Sequence, residues 1–166
     1  MVVYIIACID KGRGIGYHNR LLYHIGEDMT RFRLLTTGHT VLMGRKTYES
    51  LPNGALPHRR NLVVSRKNLI LENCEVFTDI EKALQSCGSD EVVFVIGGES
   101  VYRQTMKYAS KLYLTEVEDC MVADAFFPEF NHNEWKNYFL EEKEEKVGND
   151  KKIIRYSFKI YDRCGK

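Results

Sequence analysis

Apolar runs and amphipathic segments alternate along the first half of the chain. The runs at residues 2–9 and 40–43 contain many branched residues and no polar alternation, which predicts strands buried on both faces. Residues 27–37 have apolar positions at helical spacing and acidic residues in the first turn, which predicts an amphipathic helix. A second helix is predicted from Gly44 to about Leu51. The predicted order is therefore strand, helix, strand, helix.

The middle of the chain continues this alternation. The segment Thr78-Asp79-Ile80-Glu81 has the Thr-x-x-Glu pattern of a capping box, which predicts a helix that ends at Gly88. Gly97-Gly98 follows an apolar run and precedes a predicted helix through Tyr108. Further strands are predicted at residues 61–65, 75–77, 91–96 and 111–117.

The C-terminal third has a different pattern, because Tyr156, Phe158 and Ile160 alternate with Ser157, Lys159 and Tyr161. Such alternation is typical of an antiparallel edge strand exposed on one face, and residues 138–145 are its predicted hairpin partner. Together the elements predict a single α/β domain over residues 1–166. We expect a mostly parallel central sheet with helices on both faces and an antiparallel C-terminal hairpin at its edge.

Composition narrows the class of protein. The chain has 166 residues, with 24 Lys and Arg against 23 Asp and Glu, which argues against nucleic-acid or membrane binding through bulk charge. No apolar run approaches the roughly 20 residues of a membrane-spanning helix. The five cysteines are odd in number and none lies within three residues of another, so we expect free thiols, no metal site and a cytoplasmic protein.

Ligands of such sheets bind beyond the carboxyl ends of the strands, where glycines, hydroxyls and cations are concentrated in this sequence. Gly44-Arg45-Lys46-Thr47, Ser65-Arg66 and Gly97-Gly98 each follow a predicted strand, which favours an extended polyanion site. The alternatives are a glycine turn needed only for packing and cations that are merely solvated. The glycines at 12, 14 and 16 do not have dinucleotide-fingerprint spacing, so residues 10–23 are expected to form a mobile loop.

Asp28 is the outstanding candidate for chemistry. With Phe32 and Leu35 it falls on one face of the predicted helix, at the head of an apolar stripe. A buried carboxylate there has either a raised pKa or a donor partner, and Thr115 on a predicted strand could supply a hydroxyl. The alternatives are an exposed first-turn acid and an ordinary strand threonine. Arg59-Arg60 in the Pro57 loop either clamps an anionic group or is solvated.

These features, taken in order, resemble the dihydrofolate reductase family over nearly the whole chain. The resemblance is carried by Ile15-Gly16, Asp28-Met29 with Phe32, Met43-Gly44-Arg45-Lys46-Thr47, Leu56-Pro57 with Arg59, Ser65-Arg66, Ile96-Gly97-Gly98 and Leu112-Tyr113-Leu114-Thr115. It implies NADPH-dependent reduction of 7,8-dihydrofolate to 5,6,7,8-tetrahydrofolate, in support of one-carbon metabolism, by a monomer. It also implies a cis peptide bond between Gly97 and Gly98.

The resemblance implies two sets of binding residues. The substrate set is Ile6, Asp28, Met29, Phe32, Leu51, Leu56, Arg59, Ile96 and Thr115, and the catalytic residues are Asp28, Thr115 and Tyr23. The NADPH set is Cys8, Ile15, Gly16, Asn19, Leu21, Gly44, Arg45, Lys46, Thr47, Ser65, Arg66, Ile96, Gly97, Gly98, Glu99, Ser100, Val101 and Tyr102.

The sequence departs from the family pattern at two places. Most members have Pro-Trp where this chain has Leu22-Tyr23, so we hypothesise that the Tyr23 hydroxyl holds water beside Asp28. Glu99-Ser100 stands where the family has an arginine after the glycine pair. Two alternatives stay open: a same-fold reductase of a riboflavin-precursor pyrimidine, which has no reason for Asp28 with Phe32 and Arg59, and a catalytically silent nucleotide-binding module, which would have lost the acid.

Overall fold

The computed structural model describes residues 1–164. Most of its strands form one large sheet. The strands are β1 (Val2–Ile9), β2 (Gly14–Tyr17), β3 (Arg20–Leu21), β4 (Thr40–Gly44), β5 (Arg60–Val64), β6 (Cys74–Phe77), β7 (Val92–Gly97), β8 (Lys111–Val117), β9 (Ala125–Phe126), β10 (Trp135–Val147) and β11 (Lys152–Arg163). The helices are α1 (Gly26–Thr36), α2 (Arg45–Ser50), α3 (Ile80–Gln85) and α4 (Glu99–Thr105), and a short 3₁₀ turn, Met106–Tyr108, continues α4.

The central sheet has eight strands in the order β10-β11-β8-β1-β7-β4-β5-β6. The strands from β8 to β6 are parallel, whereas β11 pairs antiparallel with β8 and β10 pairs antiparallel with β11. This arrangement confirms the predicted parallel sheet with an antiparallel C-terminal hairpin. The carboxyl ends of β1, β4 and β7 therefore lie along one edge, where such sheets bind ligands.

Helices cover both faces of the sheet, as predicted. Along β1, Ile5 points into a core with α3 and α4, while Ile6 points to the opposite face, where Leu35 of α1 and Tyr48 of α2 pack. The second face is only half-buried at Ile6 and Cys8, so it is partly open to solvent beside α1, and we call this partly open region the cleft. Within residues 1–164 no helix has both the length and the apolar character needed to cross a bilayer.

The C-terminal hairpin corrects one prediction. β11 was expected at the edge, but it lies between β8 and β10, and Tyr156 and Phe158 on it are buried. The edge strand is β10, and the paired segments extend well beyond the expected residues 138–145 and 156–161. Alternation reports which face of a strand is buried and does not report whether both of its edges are paired.

The predicted capping box is also wrong in detail. The N-cap of α3 is Asp79, whose Oδ1 accepts a hydrogen bond of 2.8 Å from the backbone N–H of Lys82. Aspartate caps helices at least as well as threonine, so the helix begins one residue later than Thr78 would set it. It also ends at Gln85 rather than at Gly88.

The first loop contains structure that the sequence analysis missed. β2 and β3 form a hairpin around His18 and Asn19, which have positive φ angles of 50° and 59°. Two successive residues with positive φ are the mark of a tight two-residue hairpin turn. β9 adds a third strand, so the loop is tied into a small sheet of its own.

Candidate active site

Asp28 lies in the first turn of α1, at the entrance of the half-buried cleft. Ile25, the N-cap of this helix, supplies no side-chain bond, and Glu145 of β10 accepts from the backbone N–H groups of Gly26 at 2.8 Å and Glu27 at 3.3 Å. A carboxylate from the hairpin therefore anchors the helix N-terminus. This contact holds the first turn of the helix, on which Asp28 lies.

The carboxylate of Asp28 meets one protein donor in the described part of the chain. The hydroxyl of Thr115, buried on β8, donates a hydrogen bond to Asp28 Oδ1. Burial raises the pKa of Asp28 above its ordinary value, although the Thr115 hydrogen bond and the charge of Arg31 oppose that rise. An ionised carboxylate accepts up to about four hydrogen bonds, so Asp28 retains acceptor capacity for a ligand.

Apolar side chains from several elements line the cleft on the same face of the sheet. Ile6, Ile96, Leu51 and Leu56 are half-buried and pack against the core that contains Val41, Met43, Val63 and Phe94. Leu56 is held by Asn61, whose buried side-chain amide bonds both its N–H and its C=O at 2.9 Å. On α1, Phe32 is half-buried and Met29 is exposed. These groups offer apolar walls to a flat ring beside Asp28.

The adjacent arginines of the Pro57 loop have different environments. Arg60 forms ion pairs with Glu75 at 2.6 Å and Glu91 at 2.8 Å, so it is part of the scaffold. Arg59 donates to the Thr36 hydroxyl at 3.0 Å and has no ion-pair partner among residues 1–164. Burial and the charge of Arg33 lower the pKa of Arg59. Arg59 therefore remains free to bind an anionic group at the rim of the cleft.

Glycines at the ends of β4 and β7 make a backbone cradle. The Gly97–Gly98 peptide bond is cis, as the family resemblance implied. A Cβ on Gly44 would lie 3.2 Å from Val101, and Gly97 has a φ of +125°, which disfavours any residue with a side chain. A Cβ on Gly97 or on Gly98 would also lie 3.5 Å from the Thr47 hydroxyl oxygen. Side chains would fill this cradle, whereas glycines let a ligand approach the backbone closely.

The cations at this edge divide into paired and unpaired groups. Arg45 forms an ion pair with Glu49 at 2.6 Å within α2. Lys46 and Arg66 are exposed and have no salt bridge within the described residues. Ser65 is buried, and its hydroxyl accepts from the N–H of Lys67 at 3.1 Å. The glycine cradle and the two free cations fit the phosphates of a dinucleotide.

Several residues predicted to hold the cofactor are already engaged within the protein. The hydroxyl of buried Tyr102 donates to the Ile6 carbonyl at 2.8 Å, and Val101 is buried with it. Glu99 accepts from the Phe126 N–H at 2.7 Å and pairs with Arg103, while the Ser100 hydroxyl accepts from Gln104 at 2.9 Å. These contacts fix α4 against the sheet and connect it to β9.

The remaining predicted cofactor residues lie on β1 or in the first loop. Ile15 and Gly16 lie on β2 and are half-buried, while Asn19 and Leu21 are exposed in the hairpin. Cys8 is half-buried on β1, where burial, and after it the charges of Asp28 and Asp10, raise its thiol pKa. The structure therefore carries the hairpin beyond the carboxyl end of β1, next to the strand that borders the cleft.

Tyr23 has a different partner from the one that was hypothesised. Its side chain is buried, and its hydroxyl donates to Asp10 Oδ2 at 3.0 Å. The hydroxyl therefore ties this segment to the end of β1, and the water-holding role beside Asp28 stays a prediction. Asp10 was not identified from the sequence, although an acid that ends an apolar strand before a glycine-rich loop was a usable signal. Arg31, close to Asp28 on α1, was also missed.

Comparisons with known proteins agree on one family. The sequence model of a family described as "Dihydrofolate reductase" matches residues 1–163. The dihydrofolate reductase of Staphylococcus haemolyticus is 36% identical over 160 residues, which are 96% of this chain and 94% of that protein. The dihydrofolate reductase of Neisseria gonorrhoeae is 39% identical over 158 residues, covering 95% of each chain.

A solved structure has the same fold. It is described as dihydrofolate reductase from Enterococcus faecalis complexed with NADP(H) and RAB-propyl. The superposition has a TM-score of 0.88 and covers 99% of this chain and 97% of the other, at 24% sequence identity. At that identity the similarity supports the architecture, and the relatives of higher identity support the family.

Proposed function

This chain belongs to the dihydrofolate reductase family, and we propose that it reduces 7,8-dihydrofolate to 5,6,7,8-tetrahydrofolate with NADPH in the cleft beside α1. The observation that carries the proposal is the Asp28–Thr115 pair, a desolvated carboxylate with unfilled acceptor capacity between apolar walls and the glycine cradle. The proposal treats residues 1–166 as one reductase domain, supported by the family match over residues 1–163.

Asp28 accepts hydrogen bonds from the 2-amino group and N3 of the pterin. Thr115 orients the carboxylate, because its buried hydroxyl donates to one of the two oxygens and leaves the other free. The pterin ring lies between apolar side chains of the sheet and of α1, and the glutamate tail reaches Arg59 at the rim. These assignments are supported by the shared sheet face of the apolar residues and by the missing anionic partner of Arg59 within residues 1–164.

NADPH, when bound, supplies the hydride that pterin C6 receives. Gly44, Gly97 and Gly98 allow the dinucleotide to approach the backbone, and Thr47 offers a hydroxyl at the same place. Lys46 and Arg66 contact its phosphates, since neither cation is neutralised by a carboxylate in the described chain. Ser65, at the end of β5, lies next to Arg66 and positions that segment.

The chemistry requires a proton at pterin N5 as C6 receives the hydride. The ionised Asp28 stabilises the positive charge that develops on the ring, and it does so strongly because the site is desolvated. The proton arrives through water, since a carboxylate bound at N3 is too far from N5 to deliver it. The first loop, residues 10–23, closes the cleft against bulk solvent.

The proposal also includes a cellular setting and an assembly state. We place the protein in the cytoplasm as a monomer. Free thiols at all five cysteines support a reducing compartment.

The direct test is NADPH oxidation by purified protein with dihydrofolate, followed by the near-ultraviolet absorbance of NADPH. One NADPH is consumed for each dihydrofolate reduced, together with one proton. The riboflavin-precursor pyrimidine is the matched control substrate, and it should give no oxidation. Absence of dihydrofolate-dependent oxidation between about pH 5 and pH 8 would contradict the proposal. Oxidation with the pyrimidine alone would favour the same-fold alternative.

A further inference from the structure

Arg31 lies one helical turn after Asp28 on α1, so the two side chains share a face of the helix. Its guanidinium carbon lies 4.4 Å from the ring centroid of Phe158 and 6.0 Å from that of Tyr113. Within residues 1–164 no carboxylate lies within ion-pair distance of Arg31. The aromatic rings therefore hold this half-buried cation in place.

The rings connect Arg31 to the site through the strand register. Phe158 of β11 lies directly opposite Thr115 of β8, and the Thr115 hydroxyl donates a hydrogen bond to Asp28. The Phe158 ring that contacts Arg31 therefore lies beside Thr115, the residue that orients the Asp28 carboxylate. Helical spacing and the sheet register independently bring the guanidinium close to Asp28.

We propose that Arg31 is a positioning residue that sets the proton affinity of Asp28 and thereby the pH range of turnover. The effect on turnover depends on the proposed reductase function, whereas the effect on the carboxylate does not. A cation held by aromatic rings acts on Asp28 through space and leaves its oxygens free. A direct salt bridge would instead occupy the acceptor positions that the substrate needs.

The electrostatic argument is a balance of two opposing effects. Burial favours the protonated form of Asp28, and the charge of Arg31 favours the ionised form. Burial lowers the pKa of Arg31 as well, but a guanidinium starts so high that it stays charged at physiological pH. Without Arg31, burial would act with less opposition and Asp28 would hold its proton to a higher pH.

Among the titratable groups around Asp28 and Arg31, Arg31 is the main cationic neighbour of Asp28. Around Asp28 these are Glu145 of β10, Cys8 of β1, Tyr156 of β11 and Tyr102 of α4, and around Arg31 they are Glu141 of β10 and Tyr113 of β8. Burial raises the pKa of the thiol and of these tyrosines, so they are neutral near pH 7. The charge of Glu145 raises the pKa of Asp28 and so opposes Arg31, whereas Glu141 acts on Arg31 and is paired with Lys143 at 2.7 Å.

The test is a titration of the Asp28 carboxyl carbon by NMR in the ligand-free protein, with the resonance identified by its loss in Asp28→Asn. Arg31→Gln should raise the Asp28 midpoint by about 0.5 to 1 pH unit. Arg31→Lys keeps the charge and should stay close to the wild-type midpoint. Arg33→Gln removes the same net charge from an exposed position of α1 and should leave the midpoint unchanged.

Single-turnover hydride transfer provides the second readout. The pH at which the rate falls belongs to the coupled pair of Asp28 and the bound pterin. Removing a nearby positive charge increases proton binding by either partner, so Arg31→Gln should shift this midpoint upward as well. Arg31→Leu, which retains apolar packing on Phe158 and Tyr113, replaces the Gln variant if the latter does not fold.

The outcomes separate the two proposals. An unmoved Asp28 midpoint in the folded Gln or Leu variant overturns the role of Arg31. A shift in Arg31→Lys as large as that in Arg31→Gln also overturns it, because packing rather than charge would then be the cause. If the carboxyl midpoint shifts but wild-type protein never oxidises NADPH with dihydrofolate, the reductase proposal fails and the electrostatic role stands.

Discussion

Asp10, at the start of the first loop, and Asp28, in the helix after it, differ in how many hydrogen bonds the protein donates to them. Asp10, at the end of β1, is 5% exposed. Its Oδ1 accepts from the N–H groups of Gly12 at 3.0 Å and Gly14 at 2.9 Å, and its Oδ2 accepts from the Tyr23 hydroxyl and the Met121 N–H at 3.0 Å each. These four hydrogen bonds use the acceptor capacity of the carboxylate, and they tie the first loop to the segment after β8.

Asp28, by contrast, receives a hydrogen bond from Thr115 alone within the described chain, and burial raises its pKa. A carboxylate that the protein satisfies itself stabilises the fold and has no capacity for a ligand. A half-buried carboxylate that keeps one oxygen without a protein donor can bind and stabilise a polar substrate. Between these two acids, hydrogen-bond saturation distinguishes the anchoring acid from the one proposed for catalysis.

The largest expected effect is on turnover in Asp28→Asn. The amide cannot stabilise positive charge on the pterin, so the rate of hydride transfer near neutral pH should fall by about three orders of magnitude. NADPH affinity, measured by fluorescence titration, should stay nearly constant. The melting temperature should be unchanged or higher, because burial of an ionised group is removed. Equal loss of turnover and NADPH affinity would indicate misfolding and would break the contrast.

The next effect is on stability in Asp10→Asn. An amide nitrogen would face two of the four donors, so the free energy of unfolding measured with urea should fall by about 2–3 kcal/mol. Asp10 does not touch the proposed substrate, so NADPH and folate should still bind to the folded fraction. A variant as stable as wild type would show that the four hydrogen bonds do not anchor the loop.

The smallest expected effects come from removing one hydrogen-bond donor from each carboxylate, and they compare Asp10 with Asp28 most directly. Tyr23→Phe should lower the free energy of unfolding by about 1 kcal/mol, since three donors to Asp10 remain. Thr115→Val removes the donor that orients Asp28, so hydride transfer near neutral pH should slow about tenfold and the Asp28 pKa should rise further. If Tyr23→Phe slowed hydride transfer as much as Thr115→Val, the predicted water-holding role of Tyr23 would be supported.

The sequence predicted the central sheet well because its inner strands are continuous apolar runs. β4 and β7 are mostly buried on both faces, whereas the second face of β1 is only half-buried. β1, β4 and β7 appear as continuous apolar runs, and their order with the helices specifies parallel pairing. The small sheet of β2, β3 and β9 was missed, since β2 and β3 are only four and two residues long and β9 pairs with β2 from more than a hundred residues away. No local pattern reports such a pairing.

The same distinction holds in the site. Asp28 could be found from its place on one helix face, because helical spacing is a local property. Arg31 could not, because its partner Phe158 is distant in sequence and meets it only in the folded chain. Asp10 had a local signal, since Gly12 and Gly14 follow it closely, but its contact with Met121 appears only in the fold. The hydrogen bond from the Tyr23 hydroxyl to Asp10 was likewise not predicted from the sequence.

The most direct test of the central claim is the pH titration of the Asp28 carboxyl in ligand-free wild-type protein, followed by carboxyl-carbon NMR. A desolvated carboxylate with one protein donor should titrate above the ordinary aspartate value of about 3.9. A midpoint at or below that value would mean that solvent or further donors already satisfy Asp28. That result would contradict the claim that Asp28 keeps hydrogen-bond acceptor capacity free for the substrate.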